Sequence, residues 1–108
     1  MRVIALKTLK KFWAENPAAQ LPLNRWYQIT TDVTWANFAE VKNSFPPVDQ
    51  YGSCYIFDIG GNKFRLIAKI QFPRMDRSGH MAEGRVYVRA IMTHAEYKKN
   101  KWRSDCGA

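Results

Sequence analysis

The sequence predicts an α+β domain whose N-terminal helices pack on an antiparallel sheet. Two observations carry this. Apolar residues recur at helical spacing through residues 7–42, and the period changes to two after residue 54. A third bounds it: 108 residues make a single domain, long enough to bury a core without staples.

Met1–Ala5 (MRVIA) reads as a short first strand. From Lys7 the pattern turns helical, with Leu9, Phe12 and Trp13 on one face, and Asn16-Pro17 stops it because the residue before proline is pushed out of the helical region. A second helix runs over about 18–29, with Leu23, Trp26 and Tyr27 at the same spacing and Pro22 in the first turn, where its missing N–H is harmless. A short third helix over 37–42 puts Phe38 and Val41 on one side, and Pro46-Pro47 closes it. Tyr55–Ile59 then reads as a strand, Gly60-Gly61-Asn62 as a hairpin turn supplying positive φ, and Lys63–Phe72 as the returning strand. Pro73–Gly84 is a polar loop and Arg85–Met92 a third strand of the later half. Thr93-His94-Ala95-Glu96 has capping-box spacing, which predicts a short C-terminal helix from His94, and residues 98–108 read as a frayed tail.

Fifteen aromatics and 46% hydrophobic residues exclude a disordered basic tail protein. Charges interrupt the apolar start, so neither a signal peptide nor a membrane helix is expected. Cys54 and Cys106 lack metal-site or CxxC spacing, and free thiols in a reducing cytoplasm are the expectation.

Charge is uneven. Residues 1–62 carry six basic and five acidic side chains, whereas residues 63–108 carry eleven and four, so +7 of the net +8 lies in the last 46 residues. Strand side chains alternate faces. Phe64, Leu66, Ala68, Ile70 and Phe72 make one apolar face, and Val86, Val88, Ala90 and Met92 another. The opposite faces carry Lys63, Arg65, Ile67, Lys69 and Gln71, and Arg85, Tyr87, Arg89 and Ile91. With the apolar faces on the helices, Lys63, Arg65, Lys69, Arg85 and Arg89 share one surface around Tyr87. Five like charges call for an anionic partner, and RNA supplies phosphates for the cations and bases to stack on the tyrosine. The alternative is an ordinary solvated sheet face, although such faces mix both signs and only Asp58 stands nearby to answer.

No GxSxG, P-loop, HExxH or Cys/His ligand spacing is present. No metal or cofactor is therefore expected. The basic face leads directly into His94 and Tyr97. His94 is able to move a proton at neutral pH, and RNA cleavage by its own 2′-hydroxyl needs proton transfer plus cations around the developing charge. Helix capping or a surface hydrogen bond is the plainer role for His94, and Tyr97 is equally placed for a core edge. Lys10 and Lys11 are either solvated or an extension of the patch.

The opening MRVIALKTLKKFWAENPAAQLPLNRWY, the hairpin YIFDIGGNKFRLIAKIQF and the segment VYVRAIMTHAEY together resemble the HigB-type toxins of the RelE-like superfamily of mRNA interferases. The resemblance runs from Met1 to about Tyr97. It implies a single compact RelE-like domain and a toxin of a type II toxin–antitoxin system. Such a toxin cleaves mRNA without metal, on the translating ribosome. It implies a HigA-type helix-turn-helix antitoxin that inhibits the toxin, so that DNA is contacted only through that complex, and no membrane partner. Carried over by position, Arg65 and Arg89 would bind the scissile phosphate, Lys69 would add charge, His94 would transfer the proton and Tyr97 would stack or position. The loop over 74–84 is longer than expected and the tail over 98–108 has no clear counterpart. Two other functions use the same face: a non-catalytic RNA-binding module, and a clamp for an acidic or extended peptide.

Overall fold

The computed structural model describes residues 1–107. Strand β1 (Arg2–Ile4) leads into helices α1 (Leu6–Glu15), α2 (Gln20–Asp32) and α3 (Phe38–Ser44), with a 3₁₀ turn at Pro17–Ala19 before α2. Strands β2 (Asp49–Tyr51), β3 (Cys54–Ile59) and β4 (Phe64–Gln71) follow, then a small ribbon, β5 (Arg74–Met75) and β6 (Met81–Ala82). Strand β7 (Arg85–Thr93), helix α4 (His94–Lys98) and a 3₁₀ segment (Lys101–Asp105) complete the described chain. The main sheet has the order β1-β7-β4-β3-β2. It is antiparallel except for β1, which runs parallel to β7. A parallel neighbour needs a long crossover, and everything from α1 to β6 provides it.

Local chemistry explains the boundaries. The Asn16 backbone N–H donates to the Phe12 carbonyl at 2.8 Å, closing α1 where Pro17 forbids continuation. Asn37 Oδ1 accepts from the Glu40 N–H at 3.1 Å and caps α3. Gly60 and Gly61 adopt φ of 63° and 67°, so the β3–β4 turn needs residues without a Cβ. Thr93 accepts from the Glu96 N–H at 3.3 Å, which starts α4 where the capping spacing predicts it.

The helices cover one sheet face. Leu9, Leu23, Trp26, Trp35 and Val41 are buried there with Phe57, Ile59, Phe64, Leu66, Ala68, Val86 and Val88. Phe57 is the hub, with the rings of Trp26, Phe45 and Trp35 centred 5.5, 5.3 and 6.4 Å from its own.

The pattern of alternating faces fails in one place. Ile67 pairs with Ala90 while Ala68 pairs with Val88, so Arg89 is an extra residue bulged between them. Beyond it the faces of β7 exchange. Ile91, expected on the basic face, packs against the main core, while Ala90 and Met92, expected there, turn outward.

Two further expectations are corrected. The tail is not frayed: Trp102 and Cys106 are buried with Cys54, Ile56 and Ile67 in a second apolar cluster on the outer face. The cysteines are not free thiols: Cys54 and Cys106 form a disulfide. Tyr51, missed with the rest of β2, packs its ring 5.4 Å from Trp102. The C-terminal segment thus puts a second layer over part of the surface read as open.

Candidate functional site

Strands β4 and β7 deliver the cations, because the outward residues of an antiparallel pair sit opposite one another. Lys69 lies opposite Tyr87 and Gln71 opposite Arg85, so Lys69, Tyr87 and Arg85 share one end of the face. Arg65 lies opposite Met92, at the other end, between Asp58 of β3 and the start of α4. Four residue steps along the strand take Arg65 to Lys69, which is about 13 Å. The bulge holds Arg89 between these ends.

Arg65 is not a surface cation. It is 7% exposed. Its Nε meets Asp58 Oδ1 at 3.1 Å, its Nη1 donates to the Phe64 carbonyl at 3.2 Å, and its Nη2 donates to Asn62 Oδ1. The guanidinium carbon lies 5.0 Å from the centre of the Tyr97 ring. Tyr97 in turn stacks on Trp102, with ring centres 5.2 Å apart and planes 9° from parallel. A column of Asp58, Arg65, Tyr97 and Trp102 therefore fixes the tyrosine on the face. This answers the like-charge problem at one position, since a carboxylate and an aromatic face compensate the buried cation.

His94 begins α4, with its ring centre 6.5 Å from that of Tyr97. Its backbone N–H donates to the Lys63 carbonyl at 3.0 Å, which pins the start of α4 to the β3–β4 turn. Its Nδ1 is buried and has no partner among the described residues. Lys63 itself is exposed at that turn.

Lys69 and Arg89 converge on a single carboxylate. Asp105 receives a two-pronged contact from Arg89, Nε to Oδ2 at 2.8 Å and Nη2 to Oδ1 at 3.1 Å, and Lys69 Nζ lies 3.8 Å from Oδ1. The Arg89 hydrogen bonds hold the Asp105 carboxyl below the usual carboxylate range, and the charge of Lys69 adds to this. The same contact raises the Arg89 guanidinium. At the end of the sheet, the Tyr87 hydroxyl does likewise to Arg85. Lys10 and Lys11 are exposed on α1, which packs on the opposite sheet face, and Lys11 reaches the β7 edge, where it lines a small pocket with Phe12 and Ile91.

The sheet edge completes the site. Strand β1 pairs only with Arg85–Tyr87, leaving the rest of β7 as a free edge. Beside it runs a groove of about 430 Å³ lined by Phe12, Ala90, Ile91, Met92, Thr93, Glu96, Lys101 and Trp102. Sequence reasoning missed Trp102 and Asp105. A lone carboxylate in a basic tail was the one signal available for Asp105. It also missed the groove, which the bulge creates by turning Ala90 and Met92 outward.

A family described as HigB_toxin, RelE-like toxic component of a toxin-antitoxin system, matches residues 19–100. The chain belongs to the HigB toxin family. Similarity extends beyond that match: the chain is 28% identical over 102 residues to the mRNA interferase HigB of Escherichia coli O6:H1, covering 92% of this chain and 90% of that protein. It is 32% identical over 60 residues to the mRNA interferase toxin HigB of Escherichia coli K12, covering 53% and 49% of the two chains. The mRNA interferase HigB of Shigella flexneri matches to the same extent. The matched residues 19–100 contain β3, β4, β7, Arg65, Lys69, Arg89, His94 and Tyr97, whereas Trp102, Asp105 and Cys106 lie beyond them. Membership of this toxin family implies an antitoxin partner. Among the described residues, no helix is long and apolar enough to cross a membrane.

Proposed function

We propose that the chain is a cytoplasmic endoribonuclease that cleaves mRNA on the translating ribosome, without metal, and so arrests translation and growth. The observation that carries this is the convergence of Lys69 and Arg89 on one carboxylate, on the same sheet face that carries Tyr97. A carboxylate held by an arginine fork and a lysine occupies the place a phosphodiester would take. In the reaction, the substrate's 2′-hydroxyl attacks its own phosphorus and displaces the 5′-oxygen. Arg89 and Lys69 stabilise the charge that develops on the phosphate oxygens. His94 moves the proton from the 2′-hydroxyl to the departing 5′-oxygen. Tyr97, its ring held between Arg65 and Trp102, positions the nucleotide through its edge and hydroxyl, and the groove along β7 takes a base on its apolar floor. Arg65 acts from beneath as a positioning residue that fixes Tyr97. Lys63, Arg85 and Tyr87 guide the flanking RNA. The partner that silences this activity is a HigA-type helix-turn-helix antitoxin, and DNA is met only through the complex with it.

Inducing the chain without an antitoxin is expected to stop growth and to cut transcripts inside codons. RNA with a deoxy sugar at the cleavage position should remain intact, and a chelator should leave the rate unchanged. Normal growth with folded, soluble product contradicts the proposal. Burial of Arg65 favours one second reading, an RNA-binding module without catalysis. On that reading His94→Ala leaves the phenotype unchanged, whereas an RNase loses cleavage and keeps binding.

A further inference from the structure

Asp105 sits where the proposed function places a substrate phosphate, and the next residue is tied to the sheet by a disulfide. Cys106, Trp102 and Arg103 hold the segment that carries it. Cys106 is bonded to Cys54 at the start of β3, 52 residues earlier in the chain. Its carbonyl accepts from the Ser53 N–H at 2.7 Å and from the Ser53 hydroxyl at 2.9 Å. Trp102 Nε1 donates to the Tyr97 carbonyl at 3.0 Å. Arg103 lies over the rings of Tyr51 and Trp102, 4.7 and 5.5 Å from their centres.

We propose that residues 101–107 form an autoinhibitory strap, in which Asp105 competes with RNA phosphate for Lys69 and Arg89, and that the Cys54–Cys106 disulfide sets how firmly it is closed. This rests on the nucleic-acid reading of the same face. The physical basis is effective concentration. A carboxylate one residue from a covalent anchor meets its cations at a local concentration on the order of millimolar or above, and a phosphodiester must displace it. Its lowered pKa keeps it charged at neutral pH. Cutting the anchor leaves Trp102 and the Ser53 hydrogen bonds to hold the strap, so closure weakens without the fold being lost. Disulfides in reducing compartments are more often redox-responsive than structural.

The opening step is thiol–disulfide exchange with a dithiol reductant. The reductant's thiolate attacks one sulfur, the Cys54–Cys106 bond breaks, and a mixed disulfide forms. The reductant's second thiol then resolves it. Two electrons and two protons pass to the cysteines, and the dithiol becomes a disulfide. Both sulfurs are fully buried, so exchange proceeds through transient lifting of the exposed strap.

The test uses the whole chain in four forms: oxidised, reduced with a dithiol and verified by thiol counting, Asp105→Asn with the disulfide kept, and Cys106→Ser. Two readouts are taken. One is the rate at which an amine-reactive reagent acylates Lys69, measured by peptide mass spectrometry. The other is affinity for a short single-stranded RNA made uncleavable by deoxy sugars. Reduction and Asp105→Asn are each expected to raise the Lys69 rate and the affinity by about fivefold to tenfold, the lower part of the usual range for coupled sites. Equal Lys69 rates in the oxidised, reduced and Asp105→Asn forms overturn the strap whatever happens with RNA. Raised Lys69 rates with no RNA bound by any form overturn the nucleic-acid reading and, with it, the competition. Raised Lys69 rates with unchanged RNA affinity overturn the competition alone. Asp105→Asn keeps the test decisive if Cys106→Ser fails to fold.

Discussion

Replacing Arg65 by alanine is expected to unfold more than it disarms. The side chain is 9% exposed and its carboxylate partner Asp58 is 33% exposed. Removing one member of a buried ion pair costs about 3–5 kcal/mol when the other charge stays dry. Asp58 rehydrates in part, which lowers that figure, but Tyr97 also loses the cation beneath it, a contact of about 1–2 kcal/mol. A net loss of about 3 kcal/mol follows, or about 12 °C or more in Tm for a domain of this size. Urea unfolding of wild type, Arg65→Ala and Tyr97→Leu, with the double variant, measures both the loss and the share that passes through Tyr97. A loss under about 1 kcal/mol, or no coupling between the two positions, refutes the account of Arg65 as a buried anchor. The prediction bears on function directly. Loss of toxicity in Arg65→Ala is expected to accompany lower soluble protein, so it reports on catalysis only when compared at equal folded concentration.

The remaining predictions concern the surface and the bulge. Asp105 is expected to titrate below the ordinary value of 3.8, so its contact with Arg89 is fully present above that pH and is lost as pH falls through the lowered value. Carboxyl NMR should show this, and Arg89→Ala should return the midpoint to the ordinary range. Lys63, Lys69, Arg85 and Arg89 are the four exposed or half-buried cations that the proposed function sets against RNA. The log–log salt slope for single-stranded RNA should be about −2.8 at about 0.7 per contact, not the about −3.5 that five cations would give. Ile91→Ala should cost about 1–2 kcal/mol by chemical denaturation, because the bulge turns that side chain into the main core, and a cost near zero would restore simple alternation.

Much of the frame was legible in the sequence, for physical reasons. Leu9, Phe12, Leu23 and Trp26 repeat at the helical period because one face of each helix must be buried. Phe64, Leu66 and Ala68 repeat at two because β4 is dry on that side. The glycine turn and the Thr93 cap are local, so a few residues suffice to state them. What escaped depends on contacts distant in sequence. The bulge at Arg89 is set by pairing with Ile67 and Ala68, and β7 alone reads as regular. The C-terminal segment looks polar and charged. Its Trp102 and Cys106 are buried only because Cys54, Ile56 and Ile67 offer an apolar patch on the outer face, from strands some 35–50 residues upstream. The same blindness made Arg65 look like a surface cation, since its burial comes from Tyr97 and the column above it.

The central claim is that Arg89 and its neighbours on the outer face hold the phosphate that is cut. Arg89 is an exposed bulge residue, so replacing it spares the core. Purified wild-type and Arg89→Ala proteins, matched for Tm and with the disulfide reduced in both, should be added to translating ribosomes, and mRNA ends mapped by primer extension. Cleavage by the wild type and its loss by a hundredfold or so in Arg89→Ala is the predicted result, the scale of removing one group that stabilises developing charge. Equal cleavage by the two proteins would contradict it.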